Sequence, residues 1–282
     1  MSASGPVGDR LFGAAPLARG GLFFWLVAAG ALNSFVAVGI RTWTERGPAY
    51  ALFSLFGVSA VAWLATAASL ALLATERDRQ APTRRDWGVA AMVGLATLVP
   101  LGPASAVALT FLACYMIATS PRGSSLSRSG IICLALTGTL IWGRVFLALF
   151  SRPLLDIDAW LVGAAFGSRQ TGNLISFVDG TGRIIVAPGC SSWQGLSIAL
   201  LFWATVNQYY GVRFDRRAAS TLLLALVATV TVNVLRMGAM IEFPGHLAAI
   251  HYGYGWHIAA WASLALVGMV CFVGARREIL HL

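Results

Sequence analysis

Long apolar runs, separated by short polar segments that carry arginine, make up most of this chain. The first run spans about 21–40, and a short polar loop, 41–48, follows it. The second covers about 49–74, and the loop 75–87 after it holds Arg77, Arg79, Arg84 and Arg85. The stretch 88–119 is apolar throughout but is interrupted at Pro100-Leu101-Gly102-Pro103. Proline and glycine at that density stop a helix. Two short spans, about 88–101 and 104–119, are therefore predicted to form a hairpin. One long kinked helix is the alternative, and it would reverse the orientation of one part of the chain relative to the other.

A polar loop, 120–129, leads to a fifth span at about 130–150. The segment 151–167 is less regular, carries Asp156, Asp158 and Trp160, and reads as a helix lying at the membrane interface. Two β-prone stretches, 173–178 and 183–186, flank Asp179-Gly180 and predict a β-hairpin. The sixth span is about 191–210, the seventh about 220–243 and the eighth about 256–275. Several of these runs reach the roughly 20 apolar residues needed to cross a bilayer. The expected fold is an all-α polytopic membrane protein of about eight transmembrane helices, with a small extracytoplasmic β-hairpin before the sixth. It forms a single integral membrane domain over 1–282. Residues 1–20 form a cytoplasmic N-terminal segment, 168–189 the extracytoplasmic hairpin and 276–282 a cytoplasmic tail.

Composition agrees with this pattern. Hydrophobic residues make up 58% of the chain and charged residues 11%, against about 25% charged in a soluble domain. The net charge of +9 comes wholly from arginine. Thirteen of the 20 arginines fall in the N-terminal segment, the loops 75–87, 120–129 and 211–219, and the C-terminal tail. Positive residues favour the cytoplasmic side, so both termini are assigned there. The same rule accounts for the basic balance without nucleic acid, which is not an expected partner. The run 21–40 exceeds the usual apolar core of a cleavable signal and reads as a retained first helix. The four cysteines form neither a CxxC pair nor a metal pattern, so no metal, cofactor or disulfide framework is expected.

Cys190 stands apart from the other three. It lies in Val-Ala-Pro-Gly-Cys-Ser-Ser-Trp-Gln-Gly-Leu (186–196), where a turn-rich stretch that water is expected to reach becomes an apolar helix. Cys114, Cys133 and Cys271 sit inside apolar runs, where a thiol behaves as a small hydrophobe. The topology puts Cys190 on the outer face. Arg236 lies about 24 Å along the seventh span from Ser220 at a rise of 1.5 Å per residue, near the outer edge of a hydrocarbon core roughly 30 Å thick. His246 and His251 follow in the outer loop, and His257 sits just inside the eighth span.

A thiolate is a nucleophile, and the start of a helix favours an anion. A histidine can take the thiol proton and later protonate a leaving amine. An arginine stays protonated and can stabilise an oxyanion. Arg144 is a second charge on an apolar span; it is expected to pair with Asp156 or Asp158, or to line the same cleft.

The order of these pieces resembles the exosortase/archaeosortase family of membrane-embedded cysteine transpeptidases. Val186-Ala-Pro-Gly-Cys190-Ser191 resembles that family's nucleophile motif. Asn233-Val-Leu-Arg236 resembles its N-x-x-R motif, and His251-Tyr-Gly-Tyr-Gly255 its H-x-x-x-G motif. The likeness covers roughly 130–275 by motif. It implies Cys190 as nucleophile, Arg236 as transition-state stabiliser and His251 as acid/base, with His257 the second choice and Asn233, Ser191 and Arg144 in support. Ser191-Ser192-Trp193-Gln194 departs from the family's usual Ser-Gly-Leu-Arg.

The resemblance further implies a multi-pass protein of the bacterial cytoplasmic membrane whose site faces the extracytoplasmic side. Its substrates would be exported proteins ending in a short motif, a membrane helix and a basic cluster, cut through a thioester and passed to a lipid or other cell-surface acceptor. Asp78, Asp86 and Asp215 are candidate contacts for the basic tail. Two other readings come from different classes: a small polytopic transporter with Arg144 and Arg236 lining a polar path, and a catalytically silent membrane scaffold.

Overall fold

The structure, a computed structural model, describes residues 18–76, 80–99 and 101–280. The N-terminal segment up to residue 17, Asp78, Pro100 and residues 281–282 lie outside the described residues. Helix α1 spans Arg19–Arg46, α3 Ala60–Ala74, α4 Arg84–Leu98 and α5 Gly102–Thr119. Helix α6, Ser125–Thr137, passes through a π turn, Gly138–Trp142, into α7, Gly143–Leu149. Helices α9, Ser192–Tyr210, α10, Arg216–Glu242, and α12, Tyr254–Leu280, complete the bundle. Among the described residues, five helices are long and apolar enough to cross a membrane: α1, α5, continuous α6–α7, α10 and α12.

Several boundaries differ from the pattern of apolar runs. α1 continues through the expected loop to Arg46. There Thr42 and Thr44 return their hydroxyls to the carbonyls of Val38 and Ile40, and Arg41 meets Glu45 at 4.0 Å. A polar surface suits a helix that has left the apolar region. The expected unbroken span 49–74 is divided into the short helix α2, Pro48–Phe53, a 3-10 turn at Leu55–Gly57, and α3. Leu55 and Phe56 take left-handed backbone conformations, at φ 52° and 59°, which a continuous helix cannot accommodate. The stretch 88–119 is two helices, parted at residues 99–101. α10 starts at Arg216, four residues before the expected Ser220, because the Asp215 carboxylate caps it by accepting from the Ala218 N–H at 2.8 Å.

One end of the bundle is tied together by polar contacts. Arg19 pairs with buried Asp86 at 3.0 Å and donates to the Thr119 hydroxyl at 2.6 Å, joining the starts of α1 and α4 to the end of α5. The Tyr115 hydroxyl donates to the same carboxylate at 2.9 Å. The Leu126 N–H donates to Glu76, joining α6 to the end of α3. Arg128 donates to the carbonyls of Gln208 and Tyr209 at the end of α9, where the Gln208 carbonyl also accepts from the Gly211 N–H. Arg217 donates to the Val273 carbonyl at 2.8 Å, joining the start of α10 to the end of α12. Asp86 is thereby consumed as a structural anchor and Asp215 as a helix cap. Neither is free to receive a basic tail in the way the sequence suggested.

The opposite end is closed by α8, Ser151–Phe166, and a three-stranded antiparallel sheet in the order β1, β2, β3. β2, Leu174–Ser176, pairs with β3, Arg183–Ile185, around the Asp179-Gly180 turn. β1, Gln170–Thr171, adds a strand that the sequence reading lacked. The sheet is fastened to α10 by the Val178 N–H donating to the Ile241 carbonyl at 3.1 Å. Ile175 and Val186 are turned inward, and they meet Leu155, Ala159 and Val162 of α8 and Met237 and Ile241 of α10 in one apolar cluster. Cys190 belongs to that cluster.

Candidate active site

After β3 the chain runs through extended Ala187 into a 3-10 turn, Pro188–Cys190. The Cys190 N–H donates to the Ala187 carbonyl at 2.8 Å. Ser191 then caps α9, its hydroxyl accepting from the Trp193 N–H at 3.2 Å. Cys190 therefore sits one residue ahead of the helix cap. It is only 5% exposed, so the expected open contact with water is corrected. Apolar periodicity marks where a helix starts, but it does not show that α8 and the sheet fold over that start.

The expected role of the helix start is also corrected. The Ser192 N–H donates to Asp158 at 3.1 Å and the Trp193 N–H to Ser191. These leading amides are spent on side-chain oxygens rather than aimed at the thiol.

His251 supplies the contact that the helix start does not. It ends the short helix α11, Leu247–His251, within the segment that sequence patterning leaves as a loop. Its Nε2 lies 2.9 Å from Cys190 Sγ. On the other side, Asn233 of α10 donates to the Cys190 carbonyl at 2.8 Å. Arg236 follows on the same face of α10, three residues on. Among the described residues its Nε is buried without a hydrogen-bond partner, which leaves a guanidinium donor unspent near the thiol. Burial and the positive charge of Arg236 both hold the His251 imidazole below its ordinary pKa of 6.5. Its Nδ1 is also buried, and no side chain among the described residues partners it to fix the tautomer from behind. Tyr252 packs edge-on to the ring at 4.1 Å between centroids.

An apolar-walled cleft of about 200 Å³ lies between α9, α10 and α12. Gly189, Asn233 and Arg236 stand at the level of the thiol, and Phe202, Thr229 and Val267 line the part further along the helices. Among the described residues, no group of three or more His, Cys, Asp and Glu side chains is placed to hold a metal ion.

No family model, curated protein or solved structure matches this chain.

Of the residues singled out in the sequence, Cys190, His251, Asn233 and Arg236 come together. His257 does not; it is exposed in the first turn of α12 and packs against Trp256. Ser191 turns away from the thiol toward Asp158, donating at 2.7 Å. Arg144 is exposed on α7, makes no hydrogen bond or ion pair among the described residues, and does not line the cleft. It pairs with neither Asp156 nor Asp158, and Asp158 is taken up by Ser191 and Ser192. Instead α7 meets the site through the Gly143 carbonyl, which accepts from Trp193 Nε1 at 2.8 Å, and through Phe146, stacked on Trp193 at 4.5 Å. Asp158, which the sequence offered only as a partner for Arg144, is tied instead to the two residues after the thiol. Its signal was present: it shares a helix face with Leu155, Ala159 and Val162, a costly place for a carboxylate without a purpose.

Proposed function

We propose that this chain is a membrane-embedded cysteine protease/transpeptidase of the exosortase/archaeosortase type. The observation that carries the proposal is the 2.9 Å approach of Cys190 Sγ to His251 Nε2, two residues 61 apart in sequence. His251 takes the thiol proton as sulfur attacks a substrate carbonyl. The resulting oxyanion is met by the unspent guanidinium donor of Arg236. As the intermediate collapses, the carbon–nitrogen bond breaks and His251 returns its proton to the leaving amine, leaving a thioester on Cys190. An acceptor amine or hydroxyl, from a lipid or another cell-surface group, or water, then loses its proton to His251 and attacks the thioester. This releases the product and restores the thiol.

The helix ends gathered by Arg19, Arg128 and Arg217 support eight crossings with those ends in the cytoplasm of a bacterial cell. Cys190, α8 and the sheet are then extracytoplasmic. The substrate is an exported protein whose C-terminal sorting tail carries a short motif, a membrane helix and a basic end. A catalyst inside the membrane suits a cut beside the substrate's own anchor. The cleft between α9, α10 and α12 opens that site toward the apolar segment. The transporter reading needs Arg144 and Arg236 on one path, and only Arg236 lines the cleft.

Proteomic comparison of a deletion strain with strains carrying the wild-type chain or Cys190→Ala tests the proposal. Proteins with uncut C-terminal tails are expected to accumulate equally in the deletion and in Cys190→Ala. Accumulation in the deletion alone would remove Cys190 from the chemistry.

A further inference from the structure

Asp158 is 2% exposed on α8, and among the described residues it has no ion-pair partner. A carboxylate withdrawn from water in this way must be compensated by donors. It has three, and all belong to the two residues that follow the thiol. The Ser191 hydroxyl donates at 2.7 Å, the Ser192 N–H at 3.1 Å and the Ser192 hydroxyl at 2.6 Å. The start of α9 adds a favourable dipole.

We infer that Asp158 is a positioning residue for Cys190, holding the residues 191–192 while Asn233 holds the Cys190 carbonyl, so that the thiol stays against His251. The inference rests on the protease reading above. It gives a role to the departure at Ser192, where the resemblance has glycine: a glycine there would remove one of the three donors. Asp158 itself touches neither the thiol nor the imidazole, so it acts through the backbone. Small displacements of reacting groups cost large factors in rate, which is why a carboxylate one residue removed from the nucleophile bears on it.

The test is a pulse-chase of an uncut tail protein in the deletion strain carrying each variant. Asp158→Ala is expected to slow processing by at least about tenfold. Asp158→Asn, which keeps an acceptor oxygen for Ser191 and Ser192, is expected to recover most of that loss. Protection of buried Cys133 and Cys271 from alkylation, each 1% exposed, reports that the fold is intact. Wild-type processing by Asp158→Ala with both cysteines protected would overturn the inference. If Asp158→Ala does not accumulate as folded protein, Ser192→Ala carries the test. Removing one hydrogen bond to a charged group is expected to slow processing by about tenfold, and an unchanged rate would overturn the inference. Cys190→Ala in the same assay keeps the two readings apart. Normal processing by Cys190→Ala defeats the protease reading, whereas a block there with normal processing by Asp158→Ala defeats only the positioning role.

Discussion

At 2.9 Å, the Cys190 thiol and His251 Nε2 can exchange a proton directly. The imidazole must be neutral to receive it. Burial and the nearby Arg236 charge both disfavour imidazolium, and the residue sits below its ordinary 6.5. As the proposed base, His251 therefore stays neutral to lower pH than an ordinary histidine. The acid limb of the pH–rate profile is expected below 6.5, and an acid limb at or above that value would contradict the assignment. In the proposed mechanism Arg236 has a different part: its Nε, which has no hydrogen-bond partner among the described residues, would donate to the oxyanion. Arg236→Lys keeps the charge but loses the planar fork. Loss of one oxyanion donor costs about 10²–10³ in rate, and the variant is expected to fall in that range when its processing is timed beside wild type.

Among the elements, α8 and α10 set the frame in which those residues meet. They approach where Gly238 of α10 faces the Phe166 ring at the end of α8; a Cβ at position 238 would lie 1.9 Å from that ring. Gly238→Ala must push the ring aside or part the helices. Overpacking of this kind costs about 1–3 kcal/mol, and a lowered unfolding midpoint in detergent is the expected result. Element types were largely legible from the chain. The run after Cys190 and the β-prone stretches around Asp179-Gly180 fall where α9, β2 and β3 stand. The breaks were less legible. Residues 41–46 read as a loop because they are polar, yet α1 runs through them, with the Thr42 and Thr44 hydroxyls turned back onto the carbonyls of Val38 and Ile40. The break at Leu55–Gly57 carries no proline, and its left-handed backbone cannot be read from apolar residues.

For the whole molecule, sequence patterning assigned Cys190 an end of the bundle but left it open to water, because burial by α8 and the sheet is a tertiary effect. Arg144 differs for a related reason: of its two expected partners, Asp156 and Asp158, the second is held by Ser191 and Ser192, residues that sequence distance does not connect to it. Orientation in the membrane is testable by side-specific labelling. Thr181→Cys, in the exposed turn between β2 and β3, is expected to react with an impermeant maleimide from outside intact cells. Arg213→Cys, between α9 and α10, is expected to react only once the cytoplasmic face is opened. The reverse pattern would put the site on the wrong side for exported substrates.

The proposed mechanism makes Cys190 Sγ the attacking atom. Its most direct measurement is cleavage of a synthetic sorting-tail peptide by the purified protein in detergent, wild type beside Cys190→Ala. The wild type is expected to cut the peptide, and the variant to lose activity by at least about 10³-fold, the scale on which nucleophile removal acts. Cleavage by Cys190→Ala at the wild-type rate would rule out Cys190 as the nucleophile.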